Sequence, residues 1–103
     1  MAESVREFFE SIEQRVDPAR TSGTTGSYRF EIAGAGTWHV AVDDGRVAVR
    51  ESDDDADCVI SSSQEHFAKI LRGEANATTA YMTGKLKVKG DVGLALKLKE
   101  LFL

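Results

Sequence analysis

The sequence predicts an α+β protein in which one β-sheet carries its helices on a single face. In the middle of the chain, apolar residues alternate with polar ones, which is the period of half-buried strands. At both ends of the chain they recur at helical spacing instead. The predicted order of elements is helix, three strands, a fourth strand, helix, a fifth strand and helix.

The first predicted helix lies within residues 1–20. Ser4 and Glu7 form a capping box at its start. Asp17-Pro18 is expected to end it, because proline disfavours helical geometry in the residue before it. Its apolar residues recur at helical spacing and are Val5, Phe8, Phe9, Ile12 and Val16. Residues 21–27 are rich in Gly, Ser and Thr and are expected to form a loop.

Three antiparallel strands are expected to follow as a meander. Apolar side chains alternate within residues 28–32, 38–42 and 47–49. Gly34-Ala35-Gly36 separates the first pair, and Asp44-Gly45, a favoured two-residue hairpin turn, separates the second. Edge-to-edge pairing of consecutive strands is therefore predicted for this part of the chain.

The next segment mixes helix and strand signals. Residues 52–57 form an acidic loop, and residues 58–60 read as a short fourth strand. Ser62 and Glu65 make a second capping box that opens a helix ending at Gly73. After this helix the sequence favours β-structure over residues 78–83, since Thr79, Tyr81 and Thr83 alternate.

Residues 84–103 combine a strand, a glycine turn and an unusually apolar helix. Polar and apolar residues alternate from Lys85 to Lys89, as in a half-buried strand. Gly90 is expected to end this strand, and Asp91 is the expected N-cap of the helix. One face of this helix carries Leu94, Leu98, Leu101 and Phe102, and an adjoining face carries Val92, Leu96 and Leu103. A single sheet cannot cover both faces, so a partner helix, another subunit or an apolar ligand is needed.

Composition limits the classes of function. The 103 residues suffice for one domain, 1–103, and a net charge of −4 argues against general nucleic-acid binding. Residues 84–103 nevertheless carry five lysines against two acidic residues. This positive patch is either a solvated face or a surface that meets an anionic headgroup. The single cysteine, Cys58, and the lack of a signal-peptide pattern or long apolar run lead us to expect a soluble, cytoplasmic protein.

No catalytic constellation is recognisable. The acidic loop lacks the glycine and the bidentate glutamate of a calcium loop. His39 and His66 have no second ligand at metal-binding spacing, and Ser61 to Ser63 lack the glycines of a nucleophile elbow. We therefore expect a non-enzymatic protein without metal or other cofactor. A small hydrolase or isomerase that uses His39 or His66 is the enzymatic alternative.

The run TGKLKVKGDVGLALKLKEL at residues 83–101 carries a specific family pattern. It contains, in order, a glycine, Lys-Leu-Lys, a glycine turn and Gly-Leu-Ala followed by Lys-Leu. This order resembles the pattern of the sterol carrier protein 2 domain. The TWHVAVDDGRV hairpin supports this likeness, which extends over residues 26–103. The resemblance implies a mixed five-stranded sheet, a meander plus two further strands, covered on one face by helices. It also implies a hydrophobic tunnel, closed by the C-terminal helix, that holds fatty acids, acyl-CoA or sterol-like lipids.

The resemblance implies that the apolar helix surface left uncovered by the sheet is a ligand site. The implied function is non-catalytic lipid binding and possible lipid transfer. The expected ligand-binding residues are Phe67, Leu71, Tyr81, Met82, Leu86, Val88, Leu94, Leu98, Lys99, Leu101 and Phe102. Lys99 stands where the family commonly has glutamine and projects between the two apolar faces. It either pairs with a fatty-acid carboxylate or acyl-CoA phosphate, or reaches solvent at the protein end.

Partner and oligomer state are left open by the sequence. We expect a monomer or a weak dimer. Transient contact with a membrane is compatible with this expectation. The alternative is an accessory or dimerisation module that presents lipid to a partner enzyme through the apolar C-terminal helix.

Overall fold

A computed structural model describes the backbone of residues 5–15 and 23–102, and the side chains of residues 5–14 and 23–97. It confirms the α+β class. The elements in chain order are α1 (Val5–Arg15), β1 (Thr25–Ala33), β2 (Gly36–Asp43), β3 (Arg46–Glu51), β4 (Cys58–Ser63), α2 (Gln64–Leu71), α3 (Ala77–Met82), β5 (Leu86–Gly90) and α4 (Val92–Phe102).

The sheet has five strands in the order β3-β2-β1-β4-β5. Strands β1 to β3 form the predicted antiparallel meander, and Asp44 and Gly45 both take positive φ in the tight turn between β2 and β3. The fourth strand returns beside β1 and pairs with it in parallel, and β5 pairs antiparallel with β4. The mixed sheet expected from the family resemblance is therefore confirmed.

The two faces of the sheet differ in polarity. Phe30 stands opposite Trp38 on one side and Ile60 on the other, and all three are buried. We call this the inner face, since the described helices bury their apolar residues against it. The neighbouring positions Glu31, Ser61 and Lys87 lie in register on the opposite, outer face.

An aromatic cluster fills the inner face beneath α1. The ring of Phe9 stacks on Trp38 at 4.5 Å and on Phe67 at 5.8 Å, and lies 5.0 Å from Phe30, measured between ring centroids. Aromatic contacts of this kind contribute roughly 0.5–1.5 kcal/mol beyond the burial of their area. The predicted first helix is thus present, while its expected ends at Ser4 and Asp17-Pro18 lie outside the described residues.

The expectation of β-structure over residues 78–83 is wrong. Ala77–Met82 forms the short helix α3, whose N-cap is Asn76. The Asn76 side-chain oxygen accepts hydrogen bonds from the backbone N–H groups of Thr78 at 2.8 Å and Thr79 at 3.2 Å. This cap satisfies two N–H groups that an open helix end would leave free, and it outweighs the β preference of alternating threonine and tyrosine.

The boundaries of two strands also differ from expectation. The fourth strand continues to Ser63, because its last three residues pair with the end of β1. The N-cap of α2 is consequently Ser63, whose Oγ accepts from the backbone N of His66 at 3.2 Å, and not Ser62, which is buried within β4. The first strand begins at Thr25, inside the stretch expected to be a loop.

Candidate functional site

The first turn of α4 is fixed to the inner face of the sheet at β1. Leu94 is buried, and its side chain occupies the space left by the absent Cβ of Gly26, where an added carbon would lie 2.7 Å from Leu94 Cδ1. The hydroxyl of Tyr28 donates a buried 2.6 Å hydrogen bond to the carbonyl oxygen of Leu94. These contacts determine how closely the helix approaches the sheet.

Asp57 and Asp91 orient the chain as it enters α4. The backbone N–H of Asp91 donates to the carbonyl oxygen of Asp57 at 2.8 Å, and Asp91 Oδ1 accepts from the N–H of Leu94 at 3.2 Å. The N-cap predicted at Asp91 is thus formed. The carboxylate of Asp57 also accepts from the N–H of Ser27 at 3.1 Å. The residue before this turn, Gly90, has φ +92°, and a Cβ there would collide with the Asp57 carbonyl.

The residues expected to bind ligand fall into three groups by burial. Phe67, Leu86 and Leu94 are buried in the core, and Leu71 and Val88 are half-buried against it. Tyr81 and Met82, by contrast, are 50% and 78% exposed. The remaining four, Leu98, Lys99, Leu101 and Phe102, belong to the helical backbone of α4, and their side chains lie outside the described residues.

Two residues of α4 that were not assigned to the site join the exposed apolar surface. Val92 is 56% exposed and Leu96 is 75% exposed. Together with Tyr81 and Met82 they are the large exposed hydrophobic residues of the described chain, and all four lie on α3 and α4. The sequence did contain a signal for Val92 and Leu96, since they form the second apolar face of the last helix.

The two buried titratable groups beneath α4 are held in their neutral forms. Burial raises the pKa of the Cys58 thiol to about 11, with further contributions from Asp91 and Asp57. Burial likewise raises the pKa of Tyr28, which stands opposite Cys58 in the parallel pairing of β1 and β4. A thiol in this state is a poor nucleophile at neutral pH, so Cys58 behaves as a core residue.

The histidines occupy structural positions on the sheet and on α2. His39 is buried, with Nε2 3.3 Å from the carbonyl oxygen of Asp55, and His66 Nδ1 lies 2.9 Å from Ser63 Oγ. Within residues 5–15 and 23–102, His, Cys, Asp and Glu form no group of three or more that could hold a metal ion. No helix in this part of the chain is long and apolar enough to cross a membrane.

Comparison with known proteins identifies relatives of the whole fold. The model of the SCP-2 sterol transfer family matches residues 7–103. The chain is 38% identical over 104 residues to hydroxysteroid dehydrogenase-like protein 2 of Xenopus laevis, covering 97% of this chain and 25% of the relative. It is 39% identical over 101 residues to the same protein of Danio rerio, covering 94% and 24%. The chain therefore spans about a quarter of the length of the curated relatives it matches.

Solved structures agree with this assignment. The solution structure of palmitated SCP2L2 from Aedes aegypti superposes with a TM-score of 0.76 at 26% identity, covering 95% of this chain and 93% of that one. Sterol carrier protein 2 from Yarrowia lipolytica, in its apo form, gives 0.68 at 26% identity, covering 93% and 90%. The chain belongs to the SCP-2 sterol transfer family, and the lipid-binding function predicted from its sequence is confirmed at the level of that family.

Proposed function

We propose that the chain is a non-catalytic domain that binds a single-chain amphipathic lipid, a fatty acid or acyl-CoA, in an apolar tunnel between the sheet and α4. Residues 1–103 would form this one domain, including the N-terminal helix within residues 1–20. A palmitated relative of the same fold supports the choice of an acyl ligand over a sterol. A cytoplasmic location remains a prediction, in keeping with the buried free thiol of Cys58.

The observation that carries this proposal is the uneven cover of apolar side chains. Aromatic rings close the core beneath α1, whereas Leu71 at the end of α2 and Val88 on β5 are only half-buried. Among the described residues, the large exposed apolar side chains are confined to α3 and α4. Exposed apolar side chains grouped on two helices are a surface that an apolar partner can cover. An acyl chain inserted here would bury the half-covered residues and rest against the exposed ones.

Burial of the acyl chain is the main favourable contribution to the free energy of binding. Burial of each methylene is worth about 0.8 kcal/mol, so a long acyl chain could gain roughly 10 kcal/mol before the costs of association and ordering. Apolar walls supply affinity but little discrimination, since a difference of one methylene changes the free energy of binding only slightly. Several acyl ligands are expected to bind.

Lys99 is the proposed partner of the ligand's anionic group. It follows Val92 and Leu96 along α4 at helical spacing, and both of these residues are exposed. An ammonium group at the border of an apolar tunnel could remain in water while it meets a carboxylate or phosphate. The competing possibility is that Lys99 reaches solvent without contacting the ligand.

Comparison of a fatty acid with the matching alcohol tests the role of Lys99. The Lys99→Gln variant should bind the acid several-fold more weakly and the alcohol unchanged, because only the acid can form the ion pair. Lys97→Gln is the matched control, since Lys97 is an exposed lysine on the same helix. If wild type and Lys99→Gln have the same ratio of acid affinity to alcohol affinity, Lys99 forms no ion pair with the ligand. This outcome would not contradict the tunnel itself.

The relatives favour one second candidate, an accessory module that presents lipid to a partner enzyme. Hydroxysteroid dehydrogenase-like protein 2 is about four times as long as the stretch it shares with this chain. In this role the apolar strip of α4 would contact another protein or a second copy. Sedimentation at increasing concentration separates the two candidates. A concentration-dependent dimer without extractable lipid supports the accessory module, whereas a monomer that carries lipid supports the carrier.

A further inference from the structure

A cavity lies on the outer face of the sheet, away from the aromatic core. It is an open groove of about 730 Å³ at the end of the sheet where β1 turns into β2 and β4 meets α2. We call it the outer groove. Its polar lining consists of the side chains of Glu31, Thr37, Ser61, Ser63, His66, Lys85 and Lys87, and small residues of the β1–β2 turn form its wall.

Two lysines give the outer groove its charge. Lys87 lies on the outer face of β5, and Lys85, immediately before this strand, lines the same groove. Both lysines are exposed. Neither has an ion-pair partner within the described part of the chain. They belong to the lysine-rich segment that lipid binding through the inner face leaves unexplained.

The carboxylate that lines the outer groove is already engaged. Arg29 Nε lies 3.1 Å from Glu31 Oε2, and the hydroxyl of Ser61 donates to Glu31 Oε1 at 3.1 Å. Arg29 is shared between Glu31 and Asp55, 3.5 Å away. The single carboxylate of Glu31 cannot neutralise both Lys85 and Lys87. The groove keeps a net positive charge.

His66 adds a hydrogen-bond donor. Ser63 Oγ accepts from the backbone N–H of His66 at 3.2 Å and lies 2.9 Å from Nδ1 of the same residue. We assign the hydroxyl hydrogen of Ser63 to this contact, which makes Nδ1 the acceptor and places the imidazole hydrogen on Nε2. Thr37 lines the same groove and contributes a hydroxyl group. The groove thus offers several donors and two unpaired cations.

We infer that the outer groove binds the phosphate group of an organic phosphate ester, held by Lys85, Lys87 and His66. A phosphate has enough acceptor oxygens to meet all three donors, and its charge matches the two lysines. The groove is larger than an inorganic anion needs and falls within the usual range of small-molecule sites. The ester could be a soluble metabolite or a phospholipid headgroup, which present the same chemistry. The site is separate from the apolar tunnel.

The test uses one soluble and one membrane-bound phosphate monoester. Amide chemical shifts of the chain are followed by NMR during titration with sn-glycerol 3-phosphate, with glycerol at matched ionic strength as the blank. Co-sedimentation is measured in parallel with phosphatidylcholine vesicles that contain or lack phosphatidic acid. We expect saturable shifts at Ser61, His66 and Lys87, or binding that requires phosphatidic acid, and the responding probe identifies the source of the ester.

Matched variants decide whether the site is specific. Lys85→Gln with Lys87→Gln should weaken binding by about tenfold, while Lys89→Gln, on the same strand and face but outside the groove, should change it less than about twofold. His66→Ala should weaken it by about threefold. Fatty-acid affinity of all variants should match wild type, which separates this inference from the proposed tunnel. The inference is overturned if neither probe binds, or if Lys89→Gln weakens binding as much as the double variant does.

Discussion

The hydroxyl of Tyr28 on β1 donates a 2.6 Å hydrogen bond to the carbonyl oxygen of Leu94 in α4. It is a buried link between residues 66 positions apart, and it joins the centre of the sheet to the helix that closes the proposed tunnel. Gly26, two residues earlier on the same strand, supplies the space for the Leu94 side chain. The position of α4 is therefore determined by contacts made within its first turn.

Tyr28→Phe should loosen α4 without disturbing the sheet. Loss of a buried hydrogen bond of this kind should lower the free energy of unfolding by about 1 kcal/mol. Amide hydrogen exchange along α4 should accelerate, and the bound lipid should dissociate faster. Tyr81→Phe is the control, since Tyr81 is half-exposed on α3. If both variants give the same exchange rates in α4, the hydroxyl of Tyr28 does not hold the helix.

Gly26→Ala should be destabilising through steric conflict with Leu94. The new methyl group would lie 2.7 Å from Leu94 Cδ1, which forces the side chain or the helix to shift. Overpacking of this type costs about 1–3 kcal/mol in the free energy of unfolding, measurable by chemical denaturation. The double variant Gly26→Ala with Leu94→Ala should lose less than the sum of the single losses. Strict additivity would show that the two residues do not compete for the same space.

Stability should decline at alkaline pH because Cys58 is buried as the thiol. Folding raises its pKa from 9.0 to about 11, so its contribution is complete below the lower value and is lost as pH rises through the higher one. Wild type should therefore lose about 3 kcal/mol more than Cys58→Ala over this window. Denaturation midpoints at several pH values test this. Parallel pH profiles for the two proteins would contradict the assignment.

Met82→Ser and Leu96→Ser should separate lipid affinity from stability. Met82 is 78% exposed and Leu96 is 75% exposed, so the free energy of unfolding should change by less than about 0.5 kcal/mol. If these residues border the tunnel, affinity for a fluorescent fatty acid should fall several-fold. Lys97→Ser serves as the exposed polar control on α4. Wild-type affinity in both apolar variants would place the ligand elsewhere.

The regular parts of the fold were predictable because each carries a local signal. The alternation of apolar residues and the Asp44-Gly45 turn specified the meander. Asp91 specified the start of α4, and its side chain caps this helix. The family resemblance implied a mixed sheet, but the parallel pairing of β4 with β1 and the order of the strands were not predicted, because pairing between distant segments has no local signal.

The errors arose where local preferences and tertiary context disagreed. Thr79, Tyr81 and Thr83 favour a strand, but Asn76 caps the segment as a helix. That asparagine was the available signal. The sequence separated Leu94 and Leu96 onto two apolar faces but did not show which face meets the sheet. Leu94 is buried while Leu96 is 75% exposed, because Leu94 contacts Gly26, far away in sequence.

Titration with a fluorescent fatty acid tests the central claim most directly. The chain, first stripped of co-purified lipid by organic extraction and refolded, is titrated at micromolar concentration, and an unlabelled fatty acid is then added as competitor. The account predicts saturable one-to-one binding that the competitor reverses, with faster release from Tyr28→Phe. Absence of saturable binding, together with absence of lipid in the organic extract, would contradict it.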